Sequence, residues 1–168
     1  LILLKSFIFL KGFFLFLHKI DLMNYILFDG PSRNNLLPLT YTRPVADIRV
    51  GILTIREKWE TFLQSTITSV TEDYLSDKFP MVEFDENIFI NASFLPDSEI
   101  VKQITSLKPN QLINSGDDLV AFYSSEKQDE VNLDSFKKIN HKQDLLKVKK
   151  LIDIFNINSS VKPLCLCF

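Results

Sequence analysis

Between Asp29 and Gly51 the chain reads DGPSRNNLLPLTYTRPVADIRVG, and within it Gly30, Ser32, Arg33, Thr40 and Arg43 fall inside 14 residues. That inventory suits a polyphosphate. A glycine turn followed by small residues lets backbone N–H groups come close to phosphate oxygens. Arginine adds a planar fork of donors that matches phosphate better than a point charge does. The competing reading is an ordinary polar loop, with Arg33 and Arg43 solvated or paired with Asp29 and Asp47. On residue types alone, the ordinary loop leads.

The elements that must hold this loop are legible on either side of it. NYILF (24–28) is a short apolar run with aromatic and β-branched character, closed by Asp29-Gly30-Pro31. It predicts a buried strand over Tyr25 to Phe28, then a turn. Apolar residues at Ile48, Ile52, Ile55, Trp59 and Phe62 recur at intervals of three and four, which predicts a helix over 48–62. Strand, polar loop and helix in that order open a parallel α/β sheet, whose ligands lie beyond the carboxyl ends of its strands. Further strands are expected at Ser69–Val70, Asn87–Asn91 and Leu119–Tyr123. A helix is expected over Pro96 to Leu107, capped by Asp97, with Ile100, Ile104 and Leu107 on one face. Residues 124–135 read as a polar surface excursion, and no internal repeat is present.

Length and composition agree with one globular domain: 168 residues, 46% hydrophobic and 24% charged. A net charge of −2 excludes a general nucleic-acid binder, which needs a basic surface to displace counterions. The ends differ from the middle. Leu1 to Leu22 is rich in Phe, Leu, Ile and Lys, but Lys5 and Lys11 break its apolar run before it could span a bilayer. The preferred reading is upstream sequence ahead of a start at Met23; a signal or anchor segment is the alternative. A domain over 23–158 is expected, with a tail over 159–168 and a sheet incomplete at its C-terminal side. Cys165 and Cys167 have no neighbouring ligands and read as thiols in a reducing, cytoplasmic setting.

Pro38-Leu39-Thr40-Tyr41-Thr42-Arg43-Pro44 resembles the signature loop of the sugar nucleotidyltransferases, which couple a nucleoside triphosphate to a sugar 1-phosphate. More closely, LTYTRPVADIRVGILTIREKW (39–59), TEDYLSDKFP (71–80) and NIFINASFLP (87–96) resemble the GlmU-like proteins of Bacteroidetes. Those are described as UDP-N-acetylglucosamine diphosphorylases joined to a left-handed β-helix acyltransferase domain. No hexapeptide repeat of that second domain is present here. The resemblance implies a Rossmann-like nucleotidyltransferase domain with a mostly parallel sheet. It makes Arg33 the catalytic arginine that binds the triphosphate and helps pyrophosphate leave, and it adds Gly30, Ser32, Thr40 and Arg43 as the nucleotide- and phosphate-binding set. The Gly-x-Gly spacing of the family is reduced here to Gly30-Pro31-Ser32, and Val45 stands where many relatives carry lysine. A non-catalytic nucleotide-binding or assembly domain, or an inactive fragment, is the alternative function.

Joining two phosphates concentrates negative charge, so Mg²⁺ is the expected cofactor, with no covalent enzyme intermediate. Asp153, in Leu151-Ile-Asp-Ile-Phe155, resembles the Trp-Asp element of the branch and is the metal candidate; a helix-surface aspartate is the equal alternative. Asp117 and Asp118 after Gly116 are read as shaping a turn. Lys137, Lys138, Lys142, Lys147, Lys149 and Lys150 are read as the solvated face of an amphipathic segment, whose apolar face is Leu145, Val148, Ile152 and Phe155.

Overall fold

The computed structural model describes residues 23–125, 133–142 and 144–160. NYILF forms β1 (Asn24–Phe28), buried over its first four residues, as a strand covered on both faces should be. A loop with three 3-10 turns follows, then a small hairpin of β2 (Arg49–Val50) and β3 (Leu53–Thr54), and helix α1 (Ile55–Leu63). Next come β4 (Thr68–Val70), the single-turn helix α2 (Asp73–Ser76), β5 (Asn87–Asn91) and α3 (Ser98–Thr105). β6 (Gln111–Ser115), β7 (Asp118–Ser124), β8 (Lys137–Asn140) and α4 (Leu151–Ser160) complete the described chain.

Six strands make one sheet in the order β4-β1-β5-β7-β6-β8. β1 pairs in parallel with β4 on one side and β5 on the other, so that Phe28 faces both Val70 and Asn91. β7 runs antiparallel to β5 and β6, while β8 is parallel to β6. Only β7 is reversed, and the fold is the mostly parallel α/β arrangement expected. This order has a functional consequence. From β1 the chain moves out to β4, then crosses to β5 on the opposite side of β1. The loops leaving β1 and β5 therefore diverge, and the crevice between them is the topological switch point where such sheets bind ligands.

The predicted helix over 48–62 is corrected at its start. Gly51 takes a left-handed conformation (φ 77°) and turns the β2–β3 hairpin, so Ile52 is 86% exposed rather than on a buried helical face. The helix begins only where a capping box allows it: Thr54 Oγ accepts from Glu57 N at 3.1 Å, and the Glu57 carboxylate accepts from Thr54 N at 2.6 Å. Ile55 and Trp59 then point into the core, and the Trp59 indole donates to the Phe94 carbonyl at 3.0 Å. Thr54→Ala should lower stability by about 1 kcal/mol, read as a lower urea midpoint at unchanged slope.

The strands expected near 69–70, 87–91 and 119–123 are present, as is the helix capped by Asp97, whose Oδ1 accepts from Glu99 N and Ile100 N. β6 and β8 were not foreseen. QLINS is bounded by polar residues, and KKIN is an edge strand with three exposed positions out of four, so neither shows a buried apolar run. Of the expected excursion over 124–135, Ser124 completes β7, a 3-10 turn covers Leu133–Ser135, and 126–132 lie outside the described residues.

The amphipathic segment near 145–155 is corrected too. Residues 145–148 run as an extended strap along the chain after β5: Leu95 N donates to Leu146 O, and Val148 N to Ser93 O at 2.7 Å. Leu145 and Val148 are buried by that strap, not by a helix. α4 buries Ile154 and Ile157 and leaves Ile152 and Phe155 exposed.

Candidate functional site

The loop after β1 is locked by one buried ion pair. Asp29 Oδ2 accepts from Arg33 Nη1 at 2.5 Å and from Thr71 Oγ1 at 2.6 Å, while its Oδ1 accepts from Val45 N at 2.8 Å. Arg33 Nη2 donates to the Thr40 carbonyl at 2.6 Å and to Tyr74 Oη at 2.9 Å, and Nε lies 3.5 Å from Glu72. Thr40 closes the circuit, its hydroxyl donating to Arg33 O at 3.0 Å. The guanidinium thus ties the start and middle of the loop to the segment after β4. All three of its nitrogens are engaged, and the residue is 6% exposed. Guanidinium geometry is what makes this possible, since a fixed fork can bond several groups at once.

On the other side of the loop lies a cleft of about 190 Å³. Pro31, Ser32 and Asn35 from the loop after β1 form one wall. Asn91, Ser93 and Phe94, at the end of β5 and just beyond, form the other. Asp118, which opens the reversed strand β7, and Lys149 from the strap close it. Its position is the switch point between β1 and β5. Gly30 is required for the close approach of the two walls. A Cβ there would stand 2.8 Å from Asn91 Nδ2 and 2.9 Å from Oδ1. Asn91 cannot give way cheaply, because Nδ2 donates to Leu119 O and Oδ1 accepts from Ser93 N, both at 3.0 Å.

The expected residues fall into three environments. Gly30 and Ser32 border the cleft. Arg33 and Thr40 meet each other in the buried clasp, so Arg33 makes the pairing with Asp29 that the ordinary-loop reading proposed. Arg43 is exposed and makes no hydrogen bond or ion pair among the described residues, because Asp47 pairs with Arg56 at 2.5 Å instead. Burial raises the Asp47 pKa above the usual carboxylate value, opposed by Arg56. Asp153 serves the start of α4: its Oδ2 accepts from Lys149 N at 2.8 Å and Lys150 N at 2.9 Å.

Asn91, Ser93, Asp118 and Lys149 were not singled out as site residues from sequence. NIFINASF offered the signal, an Asn ending a buried strand and a Ser two residues further on. The solvated-face reading of the lysines is corrected for two of them. Lys149 Nζ lies 2.5 Å and Lys147 Nζ 3.3 Å from Asp118 Oδ2. The hydrogen bond from Lys149 is the main reason that the Asp118 pKa is lowered, with Lys147 acting in the same direction. A depressed carboxylate adds stability above its unfolded value of about 3.9, and loses it as pH falls through the lower folded value. The pair is partly exposed, so the contribution at neutral pH is at most about 1 kcal/mol. Asp118→Asn should therefore melt slightly below wild type at pH 7, and the gap should begin to narrow below about pH 4 and close as pH falls through the lower folded value. A gap that persists there, measured by scanning calorimetry, would contradict the ion pair.

The sugar nucleotidyl transferase family model matches residues 25–161, which spans most of the 168 residues. The chain belongs to that family. No curated protein matches it. Among solved structures, it is similar to a CTP:phosphocholine cytidylyltransferase from Streptococcus pneumoniae at 11% identity, with 82% of this chain and 98% of the other covered and a TM-score of 0.44. It is also similar to a Bacillus anthracis protein described as a glucose-1-phosphate thymidylyltransferase, at 11% identity, with 82% and 94% covered and a TM-score of 0.43. At such similarity neither says anything about this chain's own substrates. For this member of the sugar nucleotidyl transferases, the family match spans both walls of the cleft and the residues that close it. No helix among the described residues is long and apolar enough to cross a membrane.

Proposed function

We propose that this chain transfers a nucleotidyl group from a nucleoside triphosphate to a sugar 1-phosphate, with the reacting groups at the crevice between the loops of β1 and β5. The observation that carries this is the cleft at the switch point of a sheet, bearing Ser32, Asn35, Asn91, Asp118 and Lys149, in a chain of this family. The sugar phosphate oxygen attacks the α-phosphorus, a new P–O bond forms, and the bond to the bridging oxygen breaks with its electron pair on departing pyrophosphate. Positioning and fixed positive groups do the work in such a displacement. Lys149, paired with Asp118, is the cation in the cleft lining, and Ser32 and Asn35 offer donors; Arg43 lies exposed further along the loop after β1 and outside that lining. Arg33 contributes by fixing the loop, and binding phosphate directly would require it to exchange its bonds to Asp29 and Thr40. The likeness of 39–59, 71–80 and 87–96 to the GlmU-like branch supports uridine triphosphate and N-acetylglucosamine 1-phosphate as the pair.

Mg²⁺ is proposed as a companion of the triphosphate, where it would neutralise phosphate charge. The donor set fits a protein-held ion poorly. Among the described residues no three His, Cys, Asp or Glu side chains cluster, Asp118 is already bound to two lysines, and one Asp153 oxygen caps α4. No step above depends on it.

The test is pyrophosphate release from each nucleoside triphosphate with N-acetylglucosamine or glucose 1-phosphate, alongside the melting temperature. Release with one pair is the expected result. The second reading, a domain that binds nucleotide without turnover, is favoured by Val45 and by the engaged Arg33. It predicts a melting shift without pyrophosphate. Neither shift nor release at millimolar nucleotide removes both readings.

A further inference from the structure

Buried polar side chains in folded proteins are almost always hydrogen-bonded, so one that is not calls for a reason. Ser93 is 1% exposed, and its Oγ has no partner among the described residues. It lies in the wall of the cleft, and its polar neighbours Asn91 and Asp118 are already committed. Its own N–H donates to Asn91 Oδ1 and its carbonyl accepts from Val148 N. Asn91 is fixed at both amide atoms, and Asp118 is bound by two lysines. The Ser93 hydroxyl is therefore the unused donor and acceptor of this wall, and one side-chain torsion sets its direction.

The surroundings decide what it would bind. Asp118 is held in its anionic form between Lys147 and Lys149 and shares its charge with both. Within the lining Asp118 and Lys149 offset each other, Lys147 meets the same carboxylate from outside it, and the remaining polar groups are hydroxyls and amides, the partners of a sugar hydroxyl. At about 190 Å³ the cleft is also below the usual range for a whole ligand of this size, so it would seat one compact moiety.

From this we infer that Ser93 is a specificity-determining residue whose hydroxyl binds a ring hydroxyl of the substrate, on the ribose or on the hexose. The inference rests on the proposed nucleotidyl transfer at this cleft. It is tested by titration calorimetry of wild type, Ser93→Ala and Ser93→Cys with uridine triphosphate, its 2′-deoxy and 3′-deoxy forms, and glucose 1-phosphate with its deoxy forms. Wild type should favour one hydroxylated ligand over its deoxy form by about 3- to 10-fold. Ser93→Ala should lose that discrimination while its melting temperature does not fall, because an unpartnered hydroxyl has been removed. The deoxy position that matters identifies ribose or hexose. Binding by wild type without discrimination, discrimination retained in Ser93→Ala, or an equal loss for every ligand overturns the role of Ser93 and leaves nucleotide binding standing. Failure of every ligand to bind wild type overturns both.

Discussion

Arg33→Ala should destabilise the protein by about 3 to 5 kcal/mol, the cost of leaving one member of a buried ion pair without its partner. Asp29 would remain at the end of β1, its side chain only 7% exposed, keeping its bonds to Thr71 and Val45 but no cation. The Thr40 carbonyl and Tyr74 would lose their donor at the same time, so the loop would detach from the segment after β4. Arg33→Lys should recover only part of the loss. An ammonium can face Asp29, but it cannot also reach Thr40 and Tyr74 with the fixed geometry of a guanidinium. Asp29→Asn in the Arg33→Ala background should return part of the stability by removing the stranded charge. Urea unfolding of the four proteins checks the series. An Arg33→Ala variant as stable as wild type that no longer binds nucleotide would show instead that the arginine serves the ligand directly.

Gly30→Ala should weaken nucleotide binding at least about 10-fold, with a stability loss of about 1 to 3 kcal/mol, typical of a methyl forced into a packed contact. Its backbone conformation is one any residue can take (φ −85°), so the cost is steric. The added Cβ would meet both polar atoms of the Asn91 side chain inside 3.0 Å, and that side chain joins the cleft wall to β7 through Leu119. Either the loop backs away or Asn91 lets go, and both change the shape of the cleft. In an Asn91→Ala background, Gly30→Ala should cost little more, since the obstacle is gone. Additive losses in that cycle, measured by unfolding and by nucleotide titration, would show that the two walls do not press on each other.

The sheet was legible where burial forces an apolar run: NYILF, NIFIN and LVAFY each had to be covered strands. The phosphate-like loop was legible as a loop, and the Asp97 cap as a helix start. Helical periodicity failed at Ile48 and Ile52, because Gly51 and the Thr54–Glu57 box act locally and a spacing count does not see them. It failed again at 145–155, where backbone bonds to Ser93 and Leu95 hold an extended strap that the same apolar spacing disguises as helix. The arginines show a different limit. Sequence put Arg33 and Arg43 on one loop, but only packing separates a guanidinium buried against Asp29 from one left in solvent. Asp118 and Lys149 are 31 positions apart, and no local pattern could have joined them at the cleft.

The most direct measurement is an amide chemical-shift map of the protein titrated with uridine triphosphate. The expected result is a set of shifts confined to residues 30–35 and 91–94, with Asp118 and Lys149, saturating together with one binding curve. Saturable shifts that leave these residues untouched and gather elsewhere, for example along the β8 edge, would contradict a nucleotide site at the crevice between β1 and β5.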